Sequence, residues 1–232
     1  MSTTAFITGA TRGIGEAIAL RLAEQGYRLF LLGRDQEALE NVAAACRQFN
    51  VEVDIAHGDL GDESYMAQSV ERAIQGFGSI DVLVNNAGAA HRQATQSADL
   101  SAWRDVMDLN FNAVMFLCRE SLPHMIEKKR GTIINISSIS GRNTNAGGAI
   151  YCASKHALNG FSGCMYEDVR EHGIKVCTIM PGFVDTGLTQ DLGLNAAAMI
   201  QPSDIADAVQ YIVSASSNCC PTEIVIRPQQ RP

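Results

Sequence analysis

Tyr151 and Lys155 stand four residues apart, and Ser138 lies thirteen residues before the tyrosine. On a helix, positions i and i+4 share one face, so the Lys155 ammonium sits beside the Tyr151 phenol and stabilises its anion. A free phenol titrates at about 10, and a unit charge at about 4 Å with an effective dielectric near 20 contributes roughly 4 kcal/mol, or about three pKa units. The expectation is a phenol drawn toward neutrality and so usable as an acid. Together with a glycine-rich turn near the start of the chain, these residues describe a hydride-transfer site.

That turn reads Thr8-Gly9-Ala10-Thr11-Arg12-Gly13-Ile14-Gly15. A strand ending at Thr8 and a helix opening at Gly13 would present unhindered backbone amides and a helix N-terminus to a diphosphate. The spacing is GxxxGxG and not the general GxGxxG fingerprint, so the turn alone is a weak signal. The second strand sharpens it. It ends Leu31-Leu32-Gly33-Arg34, with no acidic residue at its tip to accept a ribose 2'-hydroxyl. Arg34 and Arg12 both offer guanidinium forks suited to a 2'-phosphate, which favours NADP over NAD. Asp35, one residue later, is either a helix N-cap or a ribose ligand.

The elements that must position these residues alternate along the chain. Apolar or β-branched runs at Thr4 to Thr8, Arg28 to Leu32, Val51 to Ala56, Ile80 to Val84, Gly131 to Ser137, Lys175 to Met180 and Glu223 to Ile226 read as strands. Helical patterns fill the gaps: Gly13 to Gln25, Gln36 to Phe49, Glu63 to Phe77, Ala102 to Lys128, Tyr151 to Glu171 and Ser203 to Ser214, with Gly26, Gly78 and Gly173 as C-terminal stops. Such βα alternation predicts an α/β fold, a doubly wound parallel sheet (Rossmann fold) in a single domain spanning residues 1–232. A segment at about 185–202 follows a strand's carboxyl end, where sheet enzymes bind ligands, and reads as a substrate flap.

Composition narrows the partners. The chain has 232 residues, 46% of them apolar, enough for one large core. A formal charge of -7, from 18 basic and 25 acidic residues, excludes a nucleic-acid surface. The basic triplet Lys128-Lys129-Arg130 falls at a helix C-terminus, where cations complement the dipole. Seven cysteines show no CxxC spacing and do not combine with the five histidines at metal-ligand intervals, so free thiols and no metal are expected. The N-terminus lacks a secretory leader's features, and no run approaches the roughly 18 apolar residues of a membrane span, so no membrane association and a cytoplasmic location are expected.

Several separated motifs together resemble the short-chain dehydrogenase/reductase family, from Thr4 to about Ile226. Beside the glycine turn they are Asp59-Leu60, Asn85-Asn86-Ala87-Gly88, Asp108-Leu109-Asn110, Asn135-Ile136-Ser137-Ser138, Tyr151-Cys152-Ala153-Ser154-Lys155 and Pro181-Gly182-Phe183-Val184-Asp185-Thr186. The resemblance implies that Asp59 and Leu60 contact adenine and that Asn86, Ala87 and Gly88 line the cofactor. It implies that Ser138 orients the substrate carbonyl, Tyr151 exchanges the proton, Lys155 holds the ribose and lowers the phenol pKa, and Asn110 anchors a water-linked proton relay. Pro181, Gly182, Val184 and Thr186 would belong to the segment that holds the nicotinamide carboxamide.

Two departures stand out. The flap is short, and the C-terminus reads Ile224-Val225-Ile226-Arg227-Pro228 where many relatives carry Asp-Gly-Gly, which leaves homodimer and homotetramer both open. Leu188, Leu192, Leu194, Met199 and Ile200 suggest an apolar cover over the pocket, and His91, Arg92 and Arg142 stand near its mouth or on the surface. The implied activity is NADP-dependent reduction of a ketone or aldehyde to an alcohol, reversibly. The alternatives are a 3-oxoacyl-thioester reductase and a catalytically silent NADP-binding sensor.

Overall fold

The computed structural model describes residues 3–232. Seven parallel strands form one sheet: β1 (Thr4–Thr8), β2 (Arg28–Gly33), β3 (Val53–His57), β4 (Val82–Asn85), β5 (Gly131–Ile136), β6 (Ile174–Pro181) and β7 (Glu223–Ile226), in the order β3-β2-β1-β4-β5-β6-β7. Chain direction across the sheet reverses between β1 and β4, which pair Ile7 with Val84. Crevices outside the carboxyl ends of strands at such a point are where α/β sheets bind ligands.

Successive strand residues point to opposite faces, and both faces are covered, so the strands read as continuous apolar runs. Ile7, Leu31, Val84, Ile134 and Ile179 pack on one side against α1 (Gly13–Glu24), α2 (Gln36–Arg47) and α7 (Pro202–Ser214). Phe6, Phe30, Leu83, Ile133 and Val176 pack on the other against α3 (Glu63–Phe77), α5 (Ala113–Lys128) and α6 (Ala149–Val169). The rings of Phe6 and Phe30 stack at 5.3 Å. Gly78, with φ of 78°, caps α3 in the left-handed region, and Gly26 and Gly173 adopt φ of 82° and 77° at the other expected stops.

The long helix expected over Ala102 to Lys128 is two helices. α4 (Leu100–Met107) runs into a π turn at Asp108–Asn112 before α5 begins. The inserted residue re-aims the turn inward, and Asn110 becomes fully buried. The basic triplet is structural: Lys129 takes the left-handed C-cap conformation, and Arg130 pairs with Asp81 at 3.1 Å. Among the described residues no group of His, Cys, Asp and Glu could hold a metal ion, and no helix is long and apolar enough to cross a membrane.

Candidate active site

The glycine turn is held by side chains from the neighbouring strand end. The Thr8 hydroxyl accepts the backbone N–H groups of Asn86 and Ala87, each at 3.0 Å. The Asn86 amide donates to the carbonyls of Thr8 and Gly9, also at 3.0 Å. Beneath it the backbone is so close that a β-carbon on Gly15 would stand 2.1 Å from the Gly9 carbonyl oxygen, so glycine is required there.

Helix N-termini show which amides are left over. Asp35, Asp62 and Asp99 cap α2, α3 and α4 with their side chains. Neither α1 nor α6 has a side-chain cap, and these are the two helices that open onto the cleft. The uncapped N–H groups of α1, beside a turn with no side-chain bulk, fit the diphosphate of a dinucleotide. Asp35 accepts the Ala38 N–H at 3.1 Å, which settles its role as the α2 cap. Arg34 lies exposed at the tip of β2 with no hydrogen bond or ion pair among the described residues. Thr11 packs on Gly33 so tightly that a β-carbon there would lie 2.5 Å from the threonine methyl.

Arg12 does not share that place in the structure. Its guanidinium lies beside Gly187 in the flap, whereas Arg34 stands at the tip of β2. Asp59 is exposed and folds its carboxylate back onto the Gly61 N–H at 2.9 Å, whereas the Leu60 side chain is 8% exposed and part of the core. Thr11, Arg34, Asp59 and Leu60 thus stand apart from the central cleft, on the β2–β3 half of the sheet.

That cleft, about 100 Å³, gathers Ile14, Asn86 and Gly88 from one side, Ser138, Tyr151 and Lys155 from the middle, and Pro181, Gly182, Val184 and Thr186 from the flap side. Ile136, Ser137, Leu188 and Thr189 also line it. Ile136 and Ser137 lie within the quoted Asn135 to Ser138 motif but were given no role there, and Thr189, three residues past the Thr186 motif, was not singled out. The flap closes at its base through paired main chain at Val184 and Ile200. Met199 and Ile200, expected to cover the pocket, are buried at that base, while Leu188 reaches the cleft.

Asn110 braces the opposite wall. Its Oδ1 accepts the Ala89 N–H at 2.8 Å, and its amide nitrogen donates to the Ala89 carbonyl at 2.9 Å and to Ser154 Oγ at 3.1 Å. Both amide hydrogens are therefore committed to structure. Lys155 is 4% exposed, and its Nζ donates to the Ile136 carbonyl at 2.8 Å and lies 5.9 Å from the Tyr151 ring centroid.

The expected phenol does not emerge. Burial is the largest influence on Tyr151 and raises its pKa above the ordinary value. The Ser138 hydroxyl and the charge of Arg92 act the other way, and Cys152 adds to the rise. Lys155 is itself desolvated, with a pKa brought down from 10.5 to about 8, and it is not among the influences that lower the phenol. At neutral pH the phenol therefore holds its proton.

The lysine shift has a sign that can be read in stability. Below pH 8 both folded and unfolded chains carry the ammonium, and between about 8 and 10.5 the unfolded chain binds the extra proton. Stability from this group therefore rises with pH across that window. Denaturant unfolding of the wild type and Lys155→Met should diverge accordingly, the wild type gaining relative to the variant; a constant difference from pH 8 to 10 would show the lysine is not desolvated.

A parallel sheet with a glycine turn at its switch point, opening on a serine, tyrosine and lysine, defines a dinucleotide-dependent α/β oxidoreductase. The chain belongs to the short-chain dehydrogenase family, whose model, short chain dehydrogenase, matches residues 3–197. It is 35% identical over 227 residues to an uncharacterized oxidoreductase of Staphylococcus saprophyticus, covering 97% of this chain and 96% of that one. A metagenomic short-chain oxidoreductase solved in complex with NADP is 33% identical, with a TM-score of 0.87 over 99% of this chain and 98% of that chain. Acetoin dehydrogenase from Salmonella typhimurium is 29% identical, with a TM-score of 0.90 over 98% and 95% of the two chains.

Proposed function

We propose that the protein is an NADP-dependent reductase of ketones or aldehydes, working reversibly, with Tyr151 as its acid and base. The observation that carries this reading is the convergence of Ser138, Tyr151 and Lys155 in one cleft with the phenol protonated. In reduction, Ser138 hydrogen-bonds the substrate oxygen and Tyr151 delivers its proton there as charge develops. Lys155 below pH 8 supplies a buried positive charge beside the phenol and a donor for the ribose. NADPH supplies the hydride. The α1 amides from Gly13 to Gly15 would hold its diphosphate, Arg34 its 2'-phosphate, the Asp59–Leu60 segment its adenine, and Val184 and Thr186 its carboxamide. Asn110 fixes Ala89 and α6 relative to one another, so its side chain acts as a brace for the site.

The test is NADPH oxidation over ketones, aldehydes, 3-oxo esters and acyl thioesters, with NADH in parallel. Turnover of simple carbonyls supports the reading; turnover of thioesters alone would move it to acyl-thioester reduction, and binding without turnover would point to a sensor. The free thiols suit a reducing cytoplasm.

We also infer self-association through the face formed by α5 and α6. Met115, Leu122, Phe161 and Met165 line an apolar groove there, with Arg119 and Asp168 in the same groove. Arg119, ion-paired with Glu120, and Asp168 give this apolar face both signs of charge, which a second copy of the same face can complement. Sedimentation equilibrium should return at least twice the 24.9 kDa chain mass; a monomer at micromolar concentration would contradict this.

A further inference from the structure

Ser138 and Tyr151 reach the cleft from different elements, so the distance between them has to be held by a contact. Tyr151 stands on α6, whereas Ser138 leaves the end of β5 in extended backbone and opens a single 3-10 turn at Ile139–Gly141. The Ser138 Oγ accepts the Ser140 N–H at 3.1 Å, which leaves its own hydrogen to donate into the cleft. The turn therefore aims Ser138, and whatever seats the turn on α6 sets the geometry of the pair. We infer that Asn159 is this positioning residue: its amide holds Ser137 and the Ser138 turn against the helix that carries Tyr151. This rests on the reductase reading above and adds a residue to its machinery.

Asn159 lies one turn beyond Lys155 and two beyond Tyr151, on the same face of α6. Its Oδ1 accepts the Ser137 hydroxyl at 2.6 Å, and its Nδ2 donates to the Gly141 carbonyl at 3.0 Å and to Met180 Sδ at 3.5 Å. One side chain thus joins α6 to the end of β5, to the far end of the Ser138 turn and to β6 just before Pro181. Ser137 has a second acceptor in the Lys155 carbonyl, but at 3.5 Å that is the weaker partner. The amide has one workable orientation. Turned over, it would set its oxygen against the Gly141 carbonyl, two acceptors with no hydrogen between them.

Gly141 shows how close the seating is. A β-carbon there would stand 2.4 Å from Asn159 Nδ2 and 2.9 Å from the Lys155 carbonyl oxygen, so the turn rests on the helix where only glycine fits. Lys155 also ties β5 to α6, through the Ile136 carbonyl at 2.8 Å, but its ammonium has to serve the phenol and the ribose as well. Asn159 is uncharged and stands behind the cleft lining, so it holds geometry without altering the charge of the site. A misplacement of about 1 Å in such a pair is enough to lower the rate about 100-fold.

The experiment compares the full chain with Asn159→Leu, which keeps the branching of the side chain and removes its hydrogen bonds. With NADPH, kcat for carbonyl reduction should fall about 10- to 100-fold, while KM for NADPH hardly moves. Ser137→Ala severs one of the ties and should give a smaller loss. Asn159→Gln, which keeps the amide on a longer stem, should recover part of kcat. Combining Ser137→Ala with Asn159→Leu should add little to the loss from Asn159→Leu alone, because both act through one contact. Wild-type kcat in Asn159→Leu, a loss confined to KM for NADPH, or losses that multiply in the double variant would overturn the inference.

Amide hydrogen exchange gives a readout without turnover. Asn159→Leu should speed exchange at Ser140 and Gly141, whose N–H groups bond to Ser138, and leave the β1–β2 half of the sheet unchanged. Wild-type protection of this turn in the variant removes the seating role outright. If the wild type reduces no carbonyl compound, the reductase reading fails, and faster exchange confined to this turn still assigns Asn159 the seating of Ser138. Should Asn159→Leu not fold, Ser137→Ala carries both readouts.

Discussion

Tyr151→Phe should lower kcat for carbonyl reduction by about 10²- to 10⁴-fold, the range associated with removal of a positioned general acid. The substitution deletes one hydroxyl and keeps the ring, so packing around the half-buried side chain is retained. The hydroxyl that is lost is the group whose proton burial holds in place and toward which Ser138 is hydrogen-bonded. NADPH affinity, followed by the cofactor's fluorescence, should change far less than kcat, because the α1 amides and Arg34 are untouched. Single-turnover NADPH oxidation separates the two effects. Equal rates for wild type and variant would mean the phenol does no chemistry, and the protein would then be better described as a nucleotide-binding protein.

The architecture was open to reading because each strand is an apolar run sealed by helices on both faces, and because glycines stand where the backbone turns left-handed. Seven expected strands match seven observed ones, with shifts of one or two residues. β3 and β4 begin two residues later than the apolar pattern, which counts Val51 and Ile80 although they lie outside the hydrogen-bonded ladder. The π turn was hidden for a physical reason: an inserted residue at Asp108–Asn112 leaves helical periodicity on both sides intact. Two asparagines within five residues, poor helix formers, are the trace it leaves in the sequence.

The site was legible as a set of residue types and much less as a set of charges. Helical spacing does put Lys155 on the face of Tyr151, but spacing does not reveal that Nζ is drawn to the Ile136 carbonyl on a neighbouring strand. It also does not reveal how far both groups are desolvated, which reversed the expected direction for the phenol. That reversal alters the chemistry in a definite way. A protonated Tyr151 begins the reductive direction with its proton in hand, whereas alcohol oxidation must first create the phenolate. Arg12 shows the same limit, since its place in the glycine turn does not reveal that its guanidinium lies beside Gly187 of the flap.

Arg34→Asp should reverse the coenzyme ratio, cutting kcat/KM with NADPH relative to NADH by about 100-fold or more. Charge-assisted hydrogen bonds contribute about 1.5–3 kcal/mol, equivalent to roughly 10- to 150-fold. Replacing the cation by a carboxylate adds repulsion against the 2'-phosphate and offers an acceptor to a 2'-hydroxyl. The position is well suited to the test because Arg34 makes no hydrogen bond or ion pair among the described residues whose loss would confuse the result. Its neighbour Asp35 remains as the cap of α2, so the denaturation midpoint should hardly move. Thr11, packed on Gly33, keeps the turn beside the β2 tip in place in both proteins. An unchanged NADPH/NADH ratio in a folded Arg34→Asp protein would remove Arg34 from the coenzyme site and leave Arg12 as the cation to test next.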